Sequence, residues 1–533
     1  MNAKKIIALT LALVMMFAIS ACGSSETGST ETAGTASDSA SLSTLVCANR
    51  SDPGNYGPYG FSSDRYMYED ILFEAMLFCN SDGELEKVLL EDYESLGDGV
   101  YRLYLYDYIH DTQGNALTAS DIVFSFEKAI ENGTYSSILS CFDGFDIIDD
   151  YTLDMKLVDE KAGTFAAICC AIKIVTEAAW EASGDEMVHN AVGTSPYQLT
   201  DYEEGSYVTY EKTNNYWQTD ESLVATSALA NADIVKWVNV EDNSACAIAL
   251  QTGEVDFIKS ANSSDYSLFM DENMNAIEDY CVAALESQMT YGIAFNCGEN
   301  SLCSDINLRK AICYAIDTEA IAANIFGSYA TAAANYINPA YADYDASLED
   351  LDSYYRYDAE LAADYLSESG YENETFTILS SSTGQTKNIS TLVQGYLLAL
   401  GIQCVVETYE SALFNDYYYD ENAQWDMAIT GSQGGTGTEY MWSVLYACDN
   451  TINDWGNLLH IDDSTLQELY ETMADVNTNS TETLGAFLNY VNENCYVYDI
   501  MNFYKFSFGG SHIQELVVNN LGEIVPGACV LVE

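Results

Sequence analysis

The stretch YGIAFNCGENSLCSDINLRKAICYAID, residues 291–317, decides the fold because it contains a capped amphipathic helix. Apolar side chains recur in it at the three- and four-residue spacing of one helix face: Leu308, Ala311, Ile312, Ala315 and Ile316. Asp305 can cap this helix, since a carboxylate at the N-cap accepts a hydrogen bond from a free backbone N–H. Arg309, one turn further on, is one of only 18 basic residues. We expect these residues to build scaffold rather than to bind a ligand.

Strand and helix patterns alternate on both sides of this stretch. Residues 100–133 begin like a strand, continue through a Thr118-x-x-Asp121 capping box into an amphipathic helix, and stop at Gly133. Residues 245–260 predict a helix, a glycine stop and a strand. A further helix is predicted within residues 62–77, where four apolar side chains share one face: Ile71, Leu72, Ala75 and Met76. The alternation indicates an α/β or α+β chain.

The chain begins with features of an export signal. A basic start is followed by an uncharged apolar run over residues 6–19, which is shorter than the roughly 20 residues that span a bilayer. The run ends in Ile-Ser-Ala-Cys, which is similar to the bacterial lipobox. We therefore expect residues 1–21 to be a lipoprotein signal peptide and Cys22 to carry the lipid. An ordinary cleavage site beside a chance cysteine is the alternative.

Residues 22–43 form a polar tether in this interpretation. They contain no aromatic residue and almost no apolar mass, so they cannot bury enough surface to offset the entropy of ordering. A flexible chain of this length has a root-mean-square reach of about 25 Å. We expect a globular body held near the outer face of the cytoplasmic membrane, extracellular or periplasmic.

The net charge and the length of the chain limit which partners and how many lobes are expected. The 83 acidic and 18 basic residues give a net charge of −65, which argues against nucleic acid as a partner, because nucleic acid binding requires a basic surface. The acidity indicates solubility outside the cell, or else attraction of cationic ligands into a cleft. The 533 residues exceed what one hydrophobic core supports, so at least two lobes are expected.

The sequence carries no recognisable catalytic arrangement. It lacks a His-Glu-x-x-His pair, a Gly-x-Ser-x-Gly elbow and a P-loop, and its 4 histidines have no metal-ligand spacing. The 15 cysteines lack the clustering of a small disulfide scaffold, and many lie in apolar runs, where cysteine behaves as a small buried residue. We predict no catalytic residue, no metal and no cofactor.

Four stretches occur in an order that resembles one family, the solute-binding proteins of peptide- and nickel-type ABC importers. They are DTQGNALTASDIVFSFEKA (111–129), VGTSPYQLTDYEEGSYVTYEKTNNYW (192–217), ALQTGEVDFI (249–258) and residues 291–317 quoted above. The resemblance covers roughly residues 45 to 533. Their joint order, rather than any single motif, makes the resemblance specific.

The resemblance implies an α/β, two-lobed clam of the periplasmic-binding-protein type, with a small inserted third domain. Ligand would be trapped when the lobes close about crossing strands. The expected parts are lobe I from 44–80, 192–291 and 500–533, an inserted domain over 81–191, and lobe II over 292–499.

The resemblance implies that an Asp holds the ligand's α-ammonium group in peptide binders of this family. That Asp follows the strand to which WDMAITG, residues 425–431, corresponds in this chain. Here no Asp lies between Asp426 and Asp449, and the nearest acid is Glu439. We expect Glu439 to take that role, although a solvated loop carboxylate is the alternative.

Four aromatic residues are further ligand-binding candidates. Tyr440 and Trp442 follow Glu439, and Tyr56 and Tyr59 lie in a Gly/Pro loop after the first strand. Core packing is the alternative for Trp442.

The function expected from the resemblance is capture of a dipeptide or oligopeptide by a monomeric, lipid-anchored protein that delivers it to an ABC permease and its ATPase. An oligosaccharide ligand in the same fold remains open. So does a signalling or adhesion lipoprotein that keeps the fold without transport.

Overall fold

The computed structural model describes most of the chain beyond the tether. The described residues are 43–49, 54–59, 68–133, 135–136, 138–240, 242–349, 351–420, 422, 424–432, 437–438, 442, 446 and 457–532.

The strands within these ranges are β1 (Thr44–Asn49), β2 (Leu77–Cys79), β3 (Leu85–Lys87), β4 (Leu90–Gly97), β5 (Val100–Leu105), β6 (Phe142–Asp149), β7 (Thr152–Leu157), β8 (Tyr197–Glu203), β9 (Tyr207–Lys212), β10 (Ile234–Asn239), β11 (Phe257–Ile258), β12 (Cys281–Phe295), β13 (Ala330–Ala332), β14 (Phe376–Ser381), β15 (Cys404–Tyr409), β16 (Met427–Ser432), β17 (Val497–Gly509), β18 (Ile513–Glu515) and β19 (Val530–Leu531). The α-helices are α1 (Ala119–Asn132), α2 (Thr164–Ala171), α3 (Glu177–Ser183), α4 (Asn243–Thr252), α5 (Ile306–Ala315), α6 (Thr318–Phe326), α7 (Ala359–Glu368), α8 (Thr386–Leu400), α9 (Ser411–Tyr418), α10 (Ser464–Ala474) and α11 (Thr481–Asn494). None of these helices is long and apolar enough to cross a membrane.

One large mixed sheet organises the described chain. Its strand order is β15-β14-β16-β12-β17-β11-β1-β10-β9-β8, and β13 pairs with β17. We call β8, β9, β10, β1 and β11 the first half-sheet, β15, β14 and β16 the second half-sheet, and β12 with β17 the crossing pair. The crossing pair is antiparallel and joins the two half-sheets.

Both half-sheets contribute alternate residues to different cores. Met427 and Ile429 of β16 belong to one apolar cluster, whereas Ala428 belongs to another. In β1, Cys47 and Ala48 divide in the same way. Successive side chains of a strand point to opposite faces, so each half-sheet is covered on both faces, as in α/β proteins.

A separate sheet of four strands, in the order β4-β5-β7-β6, is built from one continuous region. Its apolar side packs against α1, where Ile122 and Phe126 are buried with Leu103 and Leu153 of the sheet. The strands of this small sheet lie entirely within residues 90–157, whereas its core also includes Tyr59 and Trp217 from outside that region.

Several predicted helix ends are confirmed. The capping box is present at α1, where the Asp121 carboxylate accepts from the Thr118 N–H at 2.8 Å, and Gly133 closes the helix in the left-handed conformation. Asp305 accepts from the Asn307 N–H at 2.8 Å and so caps α5.

The helix predicted within residues 62–77 is confirmed only at Tyr68 and Glu69, and residues 62–67 lie outside the described residues. The four apolar side chains at positions 71, 72, 75 and 76 lie beyond these helical residues. These four side chains are buried, but residues 70–72 form a turn, residues 73–75 are not helical, and Leu77 begins β2. The backbone carbonyls of Glu74 and Met76 accept instead from Ile174 and Val88, at 2.9 and 3.1 Å. Partners distant in sequence therefore determine the local conformation, and the apolar spacing reflects burial only.

Candidate functional site

The strand registers locate the crevice of the fold. The carboxyl end of β16 pairs opposite Thr290, and the carboxyl end of β11 pairs opposite Phe508. The first half-sheet adjoins one end of the crossing pair, and the second half-sheet adjoins the other end. In both half-sheets, the carboxyl ends of the parallel strands therefore point toward the middle of the crossing pair. Ligands of open α/β sheets bind outside the carboxyl ends of the strands. The middle of the crossing pair is therefore the candidate site.

The middle of the crossing pair is also irregular. The register of β12 against β17 shifts between Glu286 and Thr290, and again between Tyr291 and Gly292. Bulges bend and twist a strand and leave residues out of the ladder. The irregular stretch therefore bends and twists the crossing pair between the two half-sheets.

An acidic side chain lies at this place on β17. Asp499 is paired with Gly292 of β12, and a Cβ added at Gly292 would stand 2.6 Å from the Asp499 Oδ1. Glycine at 292 therefore gives the carboxylate room beside the backbone. Asp499 is 8% exposed, and burial raises its pKa to about 8. No described residue donates a hydrogen bond to this carboxylate.

Three buried tyrosines accompany Asp499: Tyr336, Tyr341 and Tyr446. Burial raises the pKa of each of these tyrosines, and the charge of Asp499 raises it further. The Tyr336 hydroxyl has no hydrogen-bond partner among the described residues. The ionisable groups that the charge of Asp499 affects here are thus tyrosine hydroxyls.

A second buried carboxyl group, that of Asp343, acts on one of these tyrosines, Tyr341. Its two oxygens accept from the Thr438 N–H at 3.0 and 3.2 Å. Burial raises the pKa of Asp343, and the bond from Thr438 offsets part of that increase. Its charge also raises the pKa of Tyr341. We call Asp499, Asp343, Tyr336, Tyr341 and Tyr446 the acidic pocket.

Cationic side chains lie on the other side of the middle of the crossing pair. Lys505 of β17 pairs opposite Leu285, and Lys259 directly follows β11. Their ammonium groups stand 3.4 and 2.7 Å from the Glu523 carboxylate. The Glu523 carboxylate therefore bridges the two lysines.

The predicted ligand-binding residues that the structure describes are all buried. Tyr56 is 1% exposed and packs on Tyr202, with ring centres 5.1 Å apart. The Tyr59 hydroxyl donates to the carbonyls of Ser125 and Lys173, both at 2.9 Å.

Trp442 alone among these candidates contacts the acidic pocket. It is 1% exposed, and its ring centre lies 5.5 Å from that of Tyr336 and 5.0 Å from that of Phe487. Cys22, Glu439 and Tyr440 lie outside the described residues. A ligand-binding role for Tyr56, Tyr59, Glu439, Tyr440 and Trp442 stays a prediction.

Sequence reasoning missed the acidic pocket. One signal was available, because Asp499 is the one acidic residue in the aromatic and apolar run YVYDIMNFY, residues 496–504. A lone carboxylate in a buried strand calls for a partner. Within the described ranges, no group of three or more His, Cys, Asp or Glu side chains could hold a metal ion, and no disulfide joins two cysteines.

Comparison with known proteins gives a consistent result. The family model described as "Bacterial extracellular solute-binding proteins, family 5 Middle" matches residues 84–453. The chain is similar to the glutathione-binding protein GsiB of Escherichia coli strain K12, with 26% identity over 390 residues that cover 71% of this chain and 72% of that protein.

Solved structures show the same fold. The ABC transporter substrate-binding protein CtaP of Listeria monocytogenes superimposes with a TM-score of 0.77 at 20% identity, covering 92% of this chain and 99% of that one. The dipeptide-binding protein of Pseudoalteromonas sp. SM9913, in complex with Met-Leu, gives a TM-score of 0.73 at 16% identity, covering 92% and 100%. The mixed α/β architecture of this chain is therefore that of periplasmic binding proteins.

Proposed function

This chain belongs to the bacterial extracellular solute-binding proteins of family 5, and from that premise we propose that it captures a peptide at the middle of the crossing pair and delivers it to an ABC permease. Proteins of this family bind a solute for an importer and catalyse no reaction. A peptide-binding protein and a glutathione-binding protein are both among its relatives.

One observation carries the proposal for a peptide. The carboxyl groups of the acidic pocket lie on one side of the middle of the crossing pair, and the ammonium groups of Lys259 and Lys505, which Glu523 bridges, lie on the other. A peptide with free ends carries an ammonium group at one end and a carboxylate at the other. This distribution of charge therefore complements a peptide better than a neutral sugar.

The lobes follow from the same reasoning. Lobe I would combine residues 44–80, 192–291 and 500–533, and lobe II would be residues 292–499. The boundaries at 291/292 and 499/500 fall within the crossing pair, which supports its role as the hinge. The inserted domain, residues 81–191, would contain the separate four-stranded sheet.

Ligand capture can be tested directly. Protein purified without denaturation should release a peptide that mass spectrometry identifies, and a panel including Met-Leu and glutathione should reveal which peptides bind. A ligand present at 100 times its dissociation constant should raise the free energy of unfolding by about 2.7 kcal/mol. Small-angle scattering should show compaction at the same concentration. Stabilisation by neutral oligosaccharides and by no peptide would contradict the proposal.

We also propose that Cys22 anchors the protein to the membrane through lipid. The lipobox-like Ile-Ser-Ala-Cys and the polar tether support this assignment. Two or more acyl chains hold a protein more firmly than the marginal binding of one. Mass spectrometry of the mature N-terminus should find acyl chains on Cys22, and C22A should lose the lipid and leave the membrane fraction. An unmodified Cys22 in the mature wild-type protein would refute the anchor.

A further inference from the structure

A short backbone contact joins the region proposed as the inserted domain, residues 81–191, to the end of α10. The Ala162 N–H donates to the Ala474 carbonyl at 3.0 Å, and Lys161 forms an antiparallel bridge with Asp475. The two segments are far apart in the chain, so the contact depends on how separate regions are placed. We call these four residues the interdomain bridge.

The interdomain bridge completes the C-terminal end of α10. The last carbonyls of a helix have no partner within it, and Ala474 is the last residue of α10. This end carries the partial negative charge of the helix, and Lys161 brings a cation to it. The Lys161 ammonium lies 5.7 Å from the centre of the Tyr470 ring, one turn earlier in α10. Hydrogen bonds from Asn477 lower the pKa of Asp475, and the charge of Lys161 lowers it further.

Buried contacts fix the inserted domain to residues assigned to lobe I. The Lys173 ammonium lies 2.5 Å from the Asp70 carboxylate, and the Ile174 N–H donates to the Glu74 carbonyl at 2.9 Å. Trp217 of lobe I is buried in the same apolar cluster as the four-stranded sheet. The inserted domain is therefore expected to move together with lobe I.

The core around α10 is a different one. Leu466 and Tyr470 of α10 are buried in the apolar cluster that contains Phe487 of α11, and the described residues of this cluster include none from 81–191. Lobe II, to which α10 is assigned, is joined to lobe I through the crossing pair. A rotation of lobe II about the crossing pair would therefore separate the two sides of the interdomain bridge and leave the contacts of Lys173 and Trp217 intact.

We propose that the inserted domain latches the closed form of the protein through the interdomain bridge, with Lys161 supplying the charge that holds the end of α10. This inference rests on the lobes and the peptide-binding function proposed above, and it gives the inserted domain a role in retaining the ligand. Exposed ion pairs and charges at helix ends each contribute little. The latch therefore slows ligand release without locking the cleft.

A disulfide across the interdomain bridge tests the latch. Residues directly opposite each other in an antiparallel pair have Cα atoms about 4.5–5.5 Å apart, which is within the span of a disulfide. K161C/D475C should therefore form a 161–475 cross-link, which mass spectrometry of the joined peptides identifies. The probe is a tryptic hydrolysate of casein, bound before oxidation, and its release during dialysis is followed by mass spectrometry.

The oxidised variant should release bound peptides at least ten-fold more slowly than the same variant after reduction. Because the two states share one sequence, the loss of Lys161 affects both alike. Wild type taken through the same oxidation and reduction measures any contribution of the native cysteines.

K161M tests the lysine without an added cysteine. It should release casein peptides about five-fold faster than wild type, because the end of α10, Asp475 and the Tyr470 ring lose their cation. K156M is the matched control, since the Lys156 ammonium lies 2.5 Å from Asp146 within the inserted domain itself. K156M should release peptides at the wild-type rate.

Small-angle scattering gives a second readout that needs no ligand. The oxidised form of K161C/D475C should have a smaller radius of gyration than the reduced form, because the disulfide holds the lobes as they are when the bridge is made.

Each result separates the latch from the proposed function. Absence of the 161–475 cross-link, or equal release by the oxidised and reduced variant, would overturn the latch and leave peptide binding intact. Release by K161M at the rate of K156M would overturn the role of Lys161. If wild type retains no peptide, the peptide function fails, and scattering alone decides on the latch: equal radii for the oxidised and reduced variant would overturn it, and a smaller radius for the oxidised variant would support it.

Discussion

Replacing Gly193 with alanine should lower the free energy of unfolding by about 3–5 kcal/mol, at the upper end of single-residue effects. A Cβ at this position would stand 1.8 Å from the Leu72 carbonyl oxygen and 2.9 Å from the Phe73 ring. The backbone on both sides is fixed, because the Gly193 carbonyl accepts from the Thr112 N–H at 3.0 Å and the Ser195 hydroxyl donates to Ile71 at 2.7 Å. The added carbon therefore cannot be accommodated by rotating a side chain.

Urea denaturation followed by circular dichroism measures the effect, and G395A is the matched control. Gly395 lies exposed within α8, and an added Cβ would meet no atom within 4 Å. Alanine favours a helix over glycine, so G395A should raise stability by up to about 1 kcal/mol. A midpoint for G193A equal to that of wild type would show that residues 71–73 do not contact this turn as described.

R309M should destabilise the protein by about 3–5 kcal/mol, because a buried set of carbonyls would lose its donors. Arg309 is 5% exposed and lies in α5. Its guanidinium donates to the Asn494 carbonyl at 2.8 and 3.1 Å, and also to the carbonyls of Cys303 and Ser304. Asn494 ends α11, so the guanidinium also compensates the negative end of that helix.

K310M is the control, since it removes the same charge from the neighbouring position. The Lys310 ammonium lies 5.7 Å from the Tyr365 ring and is partly exposed. We expect K310M to change stability by less than about 1 kcal/mol. Equal thermal shifts for R309M and K310M would show that net charge, rather than the carbonyl contacts, is responsible.

The local features of the fold could be predicted from sequence, because they depend on neighbours within a few residues. The capping box at Thr118 and the cap at Asp305 both need only backbone groups two or three positions away. Even there, Ile130 falls at the three- and four-residue spacing of the buried residues of α1 and is nevertheless 52% exposed. Spacing identifies a helix face but does not show how far the core extends around it.

The acidic pocket could not be predicted, because sequence pattern does not show which distant segments meet. Its residues come from positions 336, 341, 343, 446 and 499, and they meet only after β12 and β17 have paired. The lone acid within residues 496–504 indicates that a partner is needed, but nothing in the residues around Asp499 reveals that Gly292 stands opposite. The candidates predicted from sequence come instead from a Gly/Pro loop and from the family resemblance. In the motif of residues 192–217, Trp217 is buried, and its indole donates to Glu74 at 2.8 Å.

The position of β11 determines when the protein can complete its fold during synthesis. This strand of two residues pairs with β1, near the start of the described chain, and with the last residues of β17 at positions 508 and 509. The β11 edge of the first half-sheet therefore stays unpaired until almost the whole chain has emerged, whereas the four-stranded sheet of residues 90–157 has every strand partner early. Contacts between the ends of a chain form slowly and leave strand edges open meanwhile. A product truncated before residue 500 would keep the small sheet and expose the edge of β11, which makes it a substrate for proteolysis rather than a weak receptor.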